Sequence, residues 1–138
     1  MGYFYFCDAN NCPLAQGTAI KFPSLVQHEA IIDHAWNGQQ VLLEKSKQHK
    51  KPRVTNSEEY RNVPFVISRV PSSAAHGLRI VQHAYAEIQA GAPWTAFDNC
   101  QDFVSRAYTG RNGSETRNFV FGALAVVGLV GMAAASSR

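Results

Sequence analysis

Cys100 heads the run Asn99-Cys100-Gln101-Asp102-Phe103-Val104, which reads as the first turn of a helix. A thiol in that place lies at the positive end of the helix dipole, among first-turn N–H groups that stabilise a thiolate. The thiolate is the nucleophilic form of cysteine. Asp98 or Asn99 can cap this helix, and Phe103, Val104 and Ala107 give it an apolar stripe to set against a core. A buried structural cysteine fits the same position, since free cysteine is among the most buried residue types. Acyl transfer by a thiol also needs a base, and a further group to orient that base. Of the five histidines, His28 opens the alternating segment His28-Glu29-Ala30-Ile31-Ile32-Asp33 and so projects from a strand. A lone strand histidine is also compatible with a purely structural role. His49 lies in a basic loop, and His34 ends the same strand beside a turn. His76 and His83 fall seven residues apart on a helix face with no third metal ligand in view.

The elements that must position these groups follow from the pattern. Turn residues punctuate the chain up to Pro23, with Gly17–Phe22 as a first strand. Leu25–His34 reads as a second strand, with His28, Ala30 and Ile32 on one face and Glu29, Ile31 and Asp33 on the other. Asn37-Gly38 is a hairpin turn signal, after which Gln40–Lys45 returns as a third strand with Leu42 and Glu44 sharing a face. Pro64–Val70 reads as another strand. Ser72 or Ser73 then caps a helix to about Ala90, with Leu78, Val81, Tyr85 and Ile88 as its apolar stripe and Gly91 as its stop. The cysteine helix runs from Asn99 to Tyr108 and closes at Gly110. Strands followed by helices predict an α+β fold with an antiparallel sheet packed on helices.

At 138 residues the chain fits one domain with room for a proper core. Part of the net charge of +3 comes from the run Lys45 to Arg53, which reads as a solvated loop rather than a patch for anionic lipid or nucleic acid, so no nucleic-acid partner is expected. Three cysteines cannot form a fully paired disulfide framework; Cys7 and Cys12 lack a matching ligand pair and read as structural rather than zinc-binding. There is no basic-plus-apolar signal peptide, and Phe6 stands where a myristoylation motif at Gly2 needs Ser or Thr. From Phe119 to Ala135 the chain is apolar or small and uncharged. As a helix these 17 residues span roughly 25 Å, just short of the ~30 Å hydrocarbon core. The expectation is a C-terminal apolar helix acting as a tail anchor, with a buried core helix as the alternative. The organisation expected is thus an N-terminal segment 1–16, a catalytic domain 17–117 and an apolar helix 118–138.

The order of motifs over roughly 17–110 resembles the lecithin:retinol acyltransferase family, the H-box/NC-box branch of circularly permuted, NlpC-type papain-like hydrolases. Asn99-Cys100-Gln101-Asp102-Phe103-Val104 agrees with that family's Asn-Cys-Glu-His-Phe-Val at four of six positions. His28-Glu29-Ala30-Ile31 stands in the place of its His box. The resemblance implies that Cys100 is the nucleophile and His28 the base. Where the vertebrate enzymes carry a second histidine on the next strand, this chain has Val41-Leu42-Leu43-Glu44. Glu44 is therefore the nearest candidate to orient His28, with His34 as substitute and an exposed strand residue as the plain alternative.

The function expected is thiol-dependent acyl transfer through a thioester at Cys100. The implied enzyme is a phospholipase A or acyltransferase acting on phospholipid acyl esters, membrane-associated through its tail with the catalytic domain in the cytoplasm. Peptidase or amidase chemistry on an amide substrate is the alternative, and an inactive membrane-tethered binding module a third. None of these needs a cofactor or a metal.

Overall fold

The computed structural model describes residues 4–25, 28–95 and 98–110. Five antiparallel strands form one sheet: β1 (Ala19–Phe22), β2 (His28–His34), β3 (Gln40–Lys45), β4 (Pro52–Asn56) and β5 (Val66–Arg69), in the spatial order β4-β3-β2-β1-β5. Two helices follow, α1 (Ala74–Ala90) and α2 (Cys100–Thr109). The α+β class and the antiparallel sheet on helices are as the hydrophobic patterning predicts.

Strand alternation gives the sheet two apolar faces. On one, Ala19, Ile31 and Leu43 meet Ile80, Val81 and Ala84 of α1 and Phe103, Val104 and Ala107 of α2. On the other, Ile20, Phe22, Ala30, Ile32 and Leu42 pack with Phe6 and Leu14 from the chain start. Gln40 holds that start in place, accepting from the Phe6 N–H at 2.6 Å and donating back to the Phe6 carbonyl at 3.3 Å. Each fully buried Ile, Leu or Phe contributes about 1.5–3 kcal/mol to this arrangement.

Ser73 caps α1 by accepting from the His76 N–H, and Gly91 ends it in the left-handed conformation. The apolar stripe sits differently from the one the spacing predicts. Gly77, Ile80, Val81 and Ala84 are buried, whereas Leu78 and Tyr85 are exposed. The cause is Gly77: a Cβ there would lie 2.4 Å from the Gln16 carbonyl oxygen, so the bare backbone turns inward against the Gln16–Gly17 turn. Periodicity does not count glycine as apolar and misses a face built on close backbone approach.

The C-terminal apolar helix needs correction. Among the described residues no helix is long and apolar enough to cross a membrane. The longest, α1, has 17 residues and carries His76, Arg79, His83 and Glu87 along its length, against the ~20 apolar residues a span requires. The segment 118–138, on which the expected anchor falls, lies outside the described residues. The transmembrane helix, the membrane as a partner and the tail-anchored location accordingly find no support. The basic run is corrected in part: Lys45 closes β3 with its side chain fully buried, and Pro52 and Arg53 open β4, leaving residues 46–51 as the loop.

Candidate functional site

α2 begins at the thiol because its cap is built into the preceding residue. The Asn99 side chain accepts from the N–H groups of Gln101 at 3.0 Å and Asp102 at 3.2 Å, and Asp102 accepts in turn from the Asn99 N–H at 3.2 Å. This reciprocal box fixes the first turn, and Gly110 closes the helix in the left-handed region. Phe103, Val104 and Ala107 bury against the sheet as their spacing predicts. Cys100 thereby stands buried at the positive end of α2.

His28 opens β2 opposite Phe22 of β1, and its ring stacks on Phe22 at 5.7 Å and on Tyr60 at 5.9 Å. Its Nε2 donates to Glu44 Oε1 at 2.6 Å, and its side chain also hydrogen-bonds the Cys100 thiol. Burial alone would lower the His28 pKa. The hydrogen bonds to Cys100 and Glu44, and the charges behind them, outweigh that and carry it up to about 9.

Glu44 is fully buried on β3, one register step from β2 opposite Ala30. Such a carboxylate persists only if its oxygens are satisfied. Tyr60 Oη donates to Oε1 at 2.6 Å and Arg53 Nε to Oε2 at 2.8 Å, in addition to His28. Burial pushes its pKa up, but the bonds from His28 and Tyr60 and the charges of His28 and Arg53 hold it below the usual carboxylate range. Arg53 is itself tethered to Glu59 at 2.9 Å.

The sequence-derived trio thus meets in one place: Cys100, His28 and Glu44 form a continuous hydrogen-bonded row. The other histidines do not join it. His34 is bound to the Leu14 carbonyl at 3.0 Å, tying down the chain start from the far end of β2. His76 and His83 contact the carbonyls of Tyr108 and Ala107 and hold α1 to α2. Cys7 and Cys12 are free thiols.

Sequence reasoning missed Tyr60, placed Lys45 and Arg53 in a solvated loop, and offered Asp98 only as a helix cap. Lys45 Nζ lies 3.0 Å from Asp98 Oδ1, and Arg106 Nη2 reaches the same oxygen at 2.7 Å while pairing with Glu87 of α1 at 2.6 Å. Adjacent residues of β3 therefore serve two ends of the site: Glu44 orients His28, and Lys45 anchors the residues that lead into α2. The one signal available was the charge of residues expected to be solvated. Nothing local marks Tyr60, which arrives from the 3-10 turn Ser57–Tyr60 after β4.

A cavity of about 760 Å³ opens beside the thiol. Leu25, Tyr60 and Trp94 supply apolar wall, and Lys47 and Lys50 basic wall, around Cys100 and His28. Its size suits a small-molecule ligand. Among the described residues no group of three or more His, Cys, Asp or Glu is placed to hold a metal ion.

Comparison of the chain with protein-family models, with curated proteins and with solved structures yields no match.

Proposed function

We propose that this protein is a thiol-dependent acyl-transfer enzyme that forms a thioester at Cys100. The observation that carries the reading is the row of Cys100, His28 and Glu44, with the base hydrogen-bonded to both the thiol and a buried carboxylate. A structural cysteine needs neither a basic imidazole against it nor an open cavity in front of it. The motif resemblance to the H-box/NC-box acyltransferases points the same way.

In the reaction, the proton of the Cys100 thiol passes to His28, which Glu44 holds in orientation and stabilises as the cation. The thiolate attacks the carbonyl carbon, and the carbonyl π pair moves onto oxygen. That oxyanion lies at the head of α2, where backbone amide and helix dipole favour negative charge. Its collapse breaks the bond to the leaving alcohol or amine, which takes the proton from His28. Water or an acceptor alcohol or amine then gives its proton to the same nitrogen and attacks the thioester. A second tetrahedral collapse releases the acyl product and returns the sulfur and His28 to their starting state. Tyr60 and Arg53 act through Glu44 and are positioning residues. The expected phospholipid ester rested on a membrane-spanning tail; the geometry of the site supports acyl transfer at an ester or amide carbonyl.

Steady-state turnover of a 4-nitrophenyl acyl ester tests the reading. Wild-type protein is expected to turn over, with Cys100→Ala and His28→Ala each losing at least about 100-fold. Undiminished turnover in Cys100→Ala overturns the enzyme reading. Absence of turnover in the wild type favours a binding module instead.

A further inference from the structure

The cavity beside Cys100 is charged on one side. Among the described residues that line it there is no aspartate or glutamate, while Lys47 and Lys50 both face it together with His28. Glu44 lies behind His28, engaged by three donors, so it does not offset them.

Lys47 is held at the wall by its side chain and Lys50 through its backbone. The Trp94 N–H donates to the Lys50 carbonyl at 2.7 Å, and the Lys47 ammonium lies 5.6 Å from the centre of the Trp94 ring. The Lys50 N–H in turn donates to the Ser46 carbonyl at 3.0 Å, closing the loop. Lys50 also adopts a φ of 67°, in the left-handed region. A lysine gains nothing from that conformation, which glycine adopts freely and asparagine tolerates.

We infer that the acyl donor carries an anionic group, a carboxylate or a phosphate, that seats against Lys47 and Lys50 while its carbonyl meets Cys100. This deepens the acyl-transfer reading and rests on it. A round cavity of the observed volume is about 11 Å across. The lysines therefore act on a bound donor across no more than about one and a half screening lengths, each ~8 Å at physiological salt. The neutral wall of Leu25, Tyr60 and Trp94 takes the uncharged part of the donor. The acyl step is the one given above: the thiolate adds to the carbonyl, the leaving group departs with the His28 proton, and the anionic group stays intact.

The test uses the full chain, Lys47→Ala, Lys50→Ala and their double variant, with Arg79→Ala on the exposed side of α1 as a charge control. Three 4-nitrophenyl esters of equal acyl length, ending in methyl, carboxylate or phosphonate, report acylation by nitrophenolate release. In parallel, the ratio of iodoacetate to iodoacetamide alkylation at Cys100 is read from peptide masses. The double variant is expected to slow acylation by both anionic esters about tenfold and leave the neutral ester within about twofold. The alkylation ratio falls by a similar factor, and Arg79→Ala changes neither. The faster of the two anionic esters on wild type identifies the carboxylate or the phosphate as the natural group. Equal losses across all three esters, or an unchanged alkylation ratio, overturn the inference. If no ester acylates wild-type Cys100, the acyl-transfer reading fails, and the alkylation ratio alone then decides whether the cavity prefers anions.

Discussion

The chemistry of His28 is set by two neighbours acting against burial. Imidazole taken out of water favours its neutral form, yet Glu44 and Cys100 carry its pKa up to about 9. A group raised from its unfolded value of about 6.5 contributes stability that is complete below that pH and lost as pH rises through about 9. In the proposed reaction the same ionisation bounds activity: on the alkaline side, His28 no longer holds the proton that the leaving group must take. The expected kcat/KM profile therefore falls on its basic limb near pH 9. Glu44→Gln removes the charge that holds the proton, so that limb should move down by about one pH unit or more. A limb that stays in place in Glu44→Gln contradicts the role given to the carboxylate. At this scale the sequence was informative where residue type and strand parity sufficed. The motif resemblance singled out Cys100, His28 and Glu44, and the fold brings the three side chains together. Tyr60 and Arg53 were not legible, because the bonds they make to Glu44 depend on how β4 and the turn after it fold back along β3.

Two elements carry the site, and each has a local reason to start where it does. β2 begins with His28 paired to Phe22, and α2 begins with Cys100 behind the Asn99 cap. Removing that cap in Asn99→Ala should cost about 1 kcal/mol and lower the melting temperature by roughly 3–4 °C. It should also slow acylation at Cys100, since the first turn that carries the thiol loosens. Asn99→Asp, whose side chain also accepts first-turn N–H bonds, should recover the melting temperature. Thermal denaturation of the two variants checks this, and an unchanged midpoint in Asn99→Ala would count against the cap as the positioning device. The caps and stops of both helices were readable because Ser73, Gly91, Asn99 and Gly110 act on their immediate neighbours. The buried face of α1 was not, because Gly77 packs by having no side chain at all. Lys45 was misplaced for a related reason: a basic run reads as a loop, and only the strand pairing of β3 with β4 draws its first lysine under α2 to meet Asp98.

At the scale of the whole molecule, the sheet order places β2 centrally, between β3 and β1, so His28 and Glu44 belong to the best-supported part of the fold. The helices cover one face and the chain start covers the other. α2 then delivers the thiol to the end of the sheet where β2 begins. Fold class was legible because alternation and turn residues are local; the apolar stretch near the C-terminus carried no comparable positional information, since composition alone does not distinguish a membrane span from a packed helix. The account stands on one claim, that the nucleophile is Cys100. Brief incubation with a 4-nitrophenyl acyl ester, quenching in acid, digestion with pepsin and peptide mass mapping addresses it directly. The acyl mass should appear on the peptide containing Cys100 and be absent from those containing Cys7 and Cys12. Acyl mass on Cys7 or Cys12, or hydrolysis of the ester with no adduct on Cys100 at any time point, would contradict the account.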